Sequence, residues 1–247
     1  VSKQSGLGDN FYLHGYDVSG DINSIAVAGG PATLDTTGID KSGHERIGGK
    51  RTGSMGGTCF FNPGTDRVHP RLSTLPTTDV IASYFRGTTL GNPAACQVSK
   101  QVNYDGQRGD DGAFTFTFDL QCNGFGVEWG RSLTAGVRTD TAATNGSSID
   151  TAASAAFGAQ AYLQAYAFTG TDVTVKIQDS ADNSTFADVA GLSFTQLTAG
   201  RTAERIATAN NATIRRYIRA VTTTTGGFSS LAFSVVIVKN EIAGQVF

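Results

Sequence analysis

At 247 residues the chain is long enough for one large β domain or two ordinary ones, and either can bury a sizeable core. A net charge of −2 with only 16% charged residues argues against a protein that grips nucleic acid by neutralising phosphates. Duplex DNA presents about one charge per 1.7 Å, and its binders usually carry a basic surplus. Glycine is abundant at 31 residues and proline sparse at 5, and the Thr-, Ser- and Ala-rich, weakly charged remainder suits extended strands better than helices or a disordered polymer.

In chain order, strands are expected at 10–16 and 31–37. The stretch "TGIDKSGHERIGGKRTGS" (37–54) follows, with six charged residues among glycines and only Ile39 and Ile47 as sizeable apolar groups; it reads as a long loop. A strand at 54–62 comes next, then a helical turn around Pro70–Leu75 and a strand beginning near Asp79.

The clearest element is "AFTFTFDLQC" (113–122). Phe114, Phe116, Phe118, Leu120 and Cys122 alternate with Thr115, Thr117, Asp119 and Gln121, the pattern of a strand dry on one face and wet on the other. Residues 96–104 alternate more weakly, and the glycine–aspartate cluster at 105–112 joins the two runs into a long hairpin with a polar tip. A further strand is expected at 125–130.

The segment "GVRTDTAATNGSSIDTAASAA" (136–156) is small, polar and without hydrophobic period, so it reads as a connector with a domain boundary near residue 150. Beyond it the β signature returns. Val173, Val175 and Ile177 alternate with Thr174, Lys176 and Gln178, and Leu231, Phe233, Val235 and Ile237 form one face near the end. The turn clusters "DSADNST" and "TTTTGG" separate these runs, which predicts a compact antiparallel sandwich over 151–247. The fold class is therefore all-β, in two units, 1–150 and 151–247, with at most one short helix.

Motifs for chemistry are wanting. Gly49-Lys50 is followed by Arg51 rather than Ser or Thr, and His44 stands where a phosphate loop needs its first glycine. "GSMGG" and "GFSSL" both break the nucleophile-elbow pattern. His14, His44 and His69 have no ligand spacing, and the adjacent Asp110 and Asp111 at a glycine-rich tip read as turn formers rather than the separated carboxylates of a glycosidase. Cys59, Cys96 and Cys122 form no CxxC pair and read as free thiols in strands. No nucleophile, metal site or cofactor is assigned, and the chain is not read as an enzyme.

No secretory-type apolar run opens the chain, and the longest apolar run, 231–238, is far short of the roughly 20 residues a spanning helix needs. The expectation is a soluble protein, made in a cytoplasm, with no membrane insertion.

Assembly then accounts best for 37–54. Ordering such a loop costs about 1–2 kcal/mol per residue, more than its few apolar groups offset within one monomer. Either it stays a solvated loop or another subunit orders it, and its mixed charges suit pairing across a repeated interface.

The text "SGLGDNFYLHGYDVSGDI … TGIDKSGHERIGGKRTGS … FFNP … HPRLSTLPTTD" resembles the N-terminal domain of major tail tube proteins from long non-contractile tailed phages of actinobacteria. "VTVKIQDSADNSTFADVAG … RRYIRAV … FSSLAFSVVIV" resembles the β-sandwich appended to many phage structural proteins. Together they cover most of the chain.

The resemblance implies hexameric rings, each subunit giving strands to an inner β-barrel, stacked into a virion tail tube through which double-stranded DNA passes without specific binding. It implies an inter-ring role for Asp40, Lys41, His44, Glu45, Arg46, Lys50 and Arg51 in the long loop. Thr115, Thr117, Asp119 and Gln121 are the expected lumen-facing set, backed by the Phe114, Phe116 and Phe118 face. Synthesis in the bacterial host cytoplasm, tape-measure and other tail proteins as partners, and an outer decorating role for the second unit follow from the same likeness. The alternatives are a capsid decoration or tail terminator protein, or a carbohydrate-binding β-sandwich module.

Overall fold

A computed structural model describes residues 3–243. The first half holds β1 (Asn10–Leu13), β2 (Tyr16–Asp17), β3 (Ile22–Asp35), β4 (Arg46–Phe60), the helical turn α1 (Val68–Leu72), β5 (Val80–Phe85), β6 (Pro93–Arg108), β7 (Phe114–Cys122) and β8 (Glu128–Ser132). Then come β9 (Arg138–Asp140), β10 (Ile149–Asp150), β11 (Ala159–Gly170), β12 (Thr174–Ser180), β13 (Ala187–Ser193), β14 (Thr202–Ala207), β15 (Tyr217–Thr223) and β16 (Phe228–Lys239). The protein is all-β, with antiparallel pairing throughout these strands.

The strands form two sheets. The larger has 12 strands, running β14-β11-β16-β8-β6-β5-β1-β2, with β7, β4 and β3 branching in turn from β6 and with β9 added to β16. The smaller is β10-β15-β12-β13.

β6 is the junction. Its first residues pair with β5 on one side and β8 on the other, while Ser99–Arg108 pairs with β7. The large sheet curls until the β1–β2 turn meets β11, where the Gln164 Oε1 accepts from the Gly15 amide at 2.7 Å. That turn needs left-handed backbone, φ 46° at His14 and φ 80° at Gly15, and glycine takes the second position without steric cost.

Three cores result. One lies between α1 and the dry face of β4, β6 and β7, around Met55, Leu72, Phe118 and Leu120. A second fills the sandwich of the second half, around Leu163, Ile177, Phe194 and Phe233. The third joins the halves: Tyr12, Phe85 and Cys96 pack with Tyr162, Tyr166 and Val236. Tyr162 and Tyr166 are core residues, and all three cysteines are free.

Several expected boundaries shift. The strand at 10–16 breaks at the β1–β2 turn, and those at 31–37 and 54–62 are parts of longer strands that begin at Ile22 and Arg46. The helical turn starts two residues early because the Asp21 carboxylate accepts from the Val68 amide at 3.1 Å. The strand at 125–130 becomes Glu128–Ser132, leaving 124–127 outside the strands while the Asn123 amide still donates to the Val98 carbonyl at 2.9 Å.

Segment 136–156 is not a bare connector. β9 and β10 lie within it and pair with β16 and β15, Arg138 binds Asp140 at 2.7 Å, and pairing of β16 with β8 carries the sheet across residue 150.

Candidate assembly surface

The order β3-β4-β7-β6 makes an amphipathic sheet. Registry fixes its faces: Ile25, Gly57 and Phe118 align on one side, and Ser24, Thr58, Thr117 and Asp105 on the other. The first side is the core face. The second is wet and carries Thr115, Thr117, Asp119 and Gln121 next to Lys100, Asn103 and Gln107 of β6.

Short polar groups bridge one another across the wet face. Ser24 and Thr58 hydroxyls lie 2.8 Å apart, Asn103 donates to Asp105 at 3.1 Å, and Gln121 donates to Asp119 at 3.1 Å. Lys100 is paired with Asp79 at 2.9 Å, so its charge is locally offset and Asp105 and Asp119 leave the face weakly acidic.

Among the described residues both lateral edges of this sheet are unpaired. β3 pairs only with β4, and beyond Ser99 β6 pairs only with β7. An unpaired edge presents free N–H and C=O groups ready to take another strand.

Beyond the sheet, the β3–β4 hairpin continues alone. β4 pairs with β7 from Ser54 to Phe60, whereas residues 46–53 pair only with β3. Eight residues of strand at about 3.3 Å each make an arm of about 26 Å before its tip. Such a two-stranded ribbon is marginal in water on its own.

The tip is tied by local bonds. The Thr37 amide and hydroxyl donate to Asp35, the Glu45 amide donates to the Thr37 hydroxyl at 2.9 Å, and His44 Nδ1 lies 3.0 Å from Asp35 Oδ2. The Thr37 bonds first, and His44 after them, hold the Asp35 carboxyl below its ordinary range. Lys41 sits between Asp40 at 3.7 Å and Glu45 at 3.6 Å.

The seven residues expected in one loop therefore divide. Asp40, Lys41, His44 and Glu45 are at the tip, while Arg46, Lys50 and Arg51 are on β4, which corrects the 18-residue loop to a hairpin with a ten-residue tip, 36–45. Lys50 and Arg51 line a groove of about 760 Å3 at the arm's base, together with Pro31, Phe125 and Glu128. Cross-strand pairing over Asp35–Arg46, Leu34–Ile47 and Thr33–Gly48 imposes the extended state that the glycines obscure in the sequence.

Sequence reasoning gave no sign of the joint behind that groove. Glu128 of β8 accepts two bonds from the half-buried Arg205 of β14, at 2.9 and 3.0 Å, and one from the Tyr162 hydroxyl of β11; Glu128 and Tyr162 are buried. The Arg205 guanidinium lies 3.7 Å from the Phe125 ring centroid. Burial opposes the Arg205 charge, yet the Glu128 bonds raise its pKa on balance; burial first, then the Glu128 charge, pushes the Tyr162 phenol far up. Burial likewise pushes the Cys59 and Cys122 thiols up to about 11 and Cys96 to about 12, which keeps them protonated.

Groups that could do chemistry stay apart. His14 is in the β1–β2 turn, His44 in the arm and His69 on α1; Asp110 and Asp111 are exposed at the β6–β7 tip, where Asp111 accepts from the Ala113 amide at 3.0 Å. Among the described residues no group of three or more His, Cys, Asp or Glu is placed to hold a metal ion, and no helix is long and apolar enough to cross a membrane.

No protein-family model matches the chain, and no curated protein matches it. Among solved structures it is similar to a chain of the virion of a native gene transfer agent particle, at 14% identity and TM-score 0.42, over 50% of this chain and 97% of that one. A chain from the tail of the empty gene transfer agent particle, refined with C6 symmetry, is 13% identical with TM-score 0.40, again over 50% and 97%. The SPP1 Dit protein, a hub adsorption apparatus in phages infecting Gram-positive bacteria, is 12% identical with TM-score 0.33, over 92% of this chain and 98% of that one.

Proposed function

We propose that this chain is a structural protein of a phage tail, assembling as hexameric rings that stack into a tube through which double-stranded DNA leaves the virion. The observation that carries this reading is a four-stranded sheet with one dry face, one wet and weakly acidic face, and two unpaired edges.

The topology suits ring closure. β3, β4, β7 and β6 alternate in direction, so β6 of one copy and β3 of the next meet antiparallel, and an even strand number preserves that alternation around any ring. Six subunits give about 24 strands at about 4.8 Å spacing, hence a backbone diameter of about 37 Å before tilt. Four subunits would give about 16 strands and about 24 Å, a bore that inward side chains narrow to an aqueous channel of porin size. The wet face then lines the bore, with Thr115, Thr117, Asp119 and Gln121 toward DNA, and its acidity keeps phosphates from adhering.

Residues 1–150 supply the tube unit and 151–247 an outer sandwich fixed to it. Tape-measure and other tail proteins are the further partners of this reading. Negative-stain electron microscopy of the full chain across a concentration series tests it: rings or hollow tubes with a sixfold hole are expected. Solely monomers or trimers at every concentration would sink the proposal and favour a decoration or glycan-binding protein, while single rings that never stack would point to a tail terminator.

A further inference from the structure

The sequence holds two Asn-Gly pairs, Asn123-Gly124 and Asn145-Gly146, and the fold treats them differently. The side-chain carbonyl carbon of an Asn can be attacked by the backbone nitrogen that follows it. Glycine, with no Cβ, shields that nitrogen least and lets the chain reach the geometry the attack needs. What then decides is whether the nitrogen is free.

At the second pair it is held. The Gly146 amide donates to the Ala220 carbonyl at 3.0 Å, Asn145 bridges to Val221, and a Cβ added at Gly146 would stand 2.1 Å from Arg138 Nη1. At the first pair it is open. Among the described residues the Gly124 amide has no hydrogen-bond partner; the residue is exposed at φ 78°, and an added Cβ would meet nothing within 4 Å. Asn123 is anchored in front of it. Its backbone amide donates to the Val98 carbonyl at 2.9 Å, and its side chain donates at 2.8 Å to Asp79, a carboxylate 45% exposed and paired with Lys100.

We propose that Asn123 is a site of spontaneous deamidation through a cyclic imide formed with Gly124. The Gly124 nitrogen gives up its proton and bonds to Asn123 Cγ; the Cγ–Nδ2 bond breaks, and Nδ2 leaves as ammonia with that proton. Water then opens the ring at either carbonyl, leaving aspartate or isoaspartate at 123. No electron is transferred, and water is the sole reagent consumed.

The product changes its surroundings in two ways. A carboxylate at 123 has no donor for Asp79, so two acids then share Lys100. Isoaspartate also routes the backbone through Cβ and lengthens the link between β7 and β8 by one carbon. That link carries Phe125, whose ring centroid lies 3.7 Å from the Arg205 guanidinium in the joint between the halves.

Peptide mass spectrometry of the full chain, kept at mildly alkaline pH in isotope-labelled water, tests the assignment. In the folded chain Asn123 should take up labelled oxygen at least about tenfold faster than Asn145, whose neighbouring amide must first leave its carbonyl. In denaturant the two rates should come together, since both nitrogens are then free. Equal rates in the folded chain, or no reaction at Asn123 over a period that converts it in denaturant, would overturn the proposal. So would a product joining the peptides of Lys100 and Asn123, because the lysine would then be the nucleophile.

A second measurement addresses the joint. Isoaspartate-bearing chain, separated by ion exchange, should exchange amides faster at 124–128 than the Asn123→Asp variant, which carries the charge without the added carbon. Equal exchange would overturn the link between this site and the joint.

Discussion

The two halves treat the faces of their strands in opposite ways. In the second half, two sheets close on each other, and Leu163, Ile177 and Phe233 meet in a core with no access for water. In the first half, β4 and β7 are dry on one face only, and β3 and the far part of β6 end in unpaired edges. The sandwich completes itself within one chain. The wet sheet and its arm leave edge N–H and C=O groups to water, where a further strand could take them.

The largest effect is expected where the halves join. Arg205→Met leaves the buried Glu128 carboxylate with the Tyr162 hydroxyl alone, and a loss of about 3–5 kcal/mol in denaturant unfolding should follow. A loss below about 1 kcal/mol would show that the halves are held by their apolar contact instead.

Next, the dry and wet faces should respond differently to truncation. Leu163→Ala in the sandwich core should cost about 2–5 kcal/mol, while Thr117→Ala on the wet face should stay within about 0.5 kcal/mol. Equal costs would mean that the wet face is already covered in the isolated protein.

A smaller change is expected for Gly130→Ala. An added Cβ there would stand 2.2 Å from the Ile237 carbonyl oxygen, so β8 and β16 must separate, at about 1–3 kcal/mol. Amide exchange should quicken at the β8–β16 pairing more than elsewhere, and a uniform change would contradict a local joint.

The smallest effect concerns Asp150. The Arg216 bonds first, then the Ala152 amide, hold its carboxyl down to about 2. Since the folded value lies below the unfolded one, the contribution is present above about pH 4 and is lost as pH falls through about 2. Wild type should exceed Arg216→Met slightly in thermal midpoint near neutrality, and the two should converge at low pH and in high salt; a gap that widens with acid would reverse the assignment.

Legibility in the sequence followed the range of the interactions. Residues 113–122 were readable because Phe114, Phe116, Phe118 and Leu120 recur at period two, and the structure keeps that register over Phe114–Cys122. The arm was not: Gly48, Gly49 and Gly53 leave no side-chain alternation, and 46–53 is extended because it pairs with β3. The missed half of β3 did carry a signal, Ile25 and Val27 between Ala26 and Ala28.

Most of the candidate surface was within reach of the sequence in kind, though not in place. Thr115, Thr117, Asp119 and Gln121 were grouped by alternation alone, and the structure puts them on one wet face. The seven arm residues were grouped by proximity in sequence, which says nothing of tip against stem, so Lys50 and Arg51 went to the groove while Lys41 and Glu45 stayed at the tip.

By itself the sequence determined the all-β class and the polarity of its best strand, because both are written in residues one or two apart. Only the tertiary structure decided that 136–156 is built into the sheets, that Glu128, Tyr162 and Arg205 meet, and that 46–53 pairs with β3 as an arm. Those facts join residues tens of positions apart, and strand pairing between distant segments leaves no period in the local text.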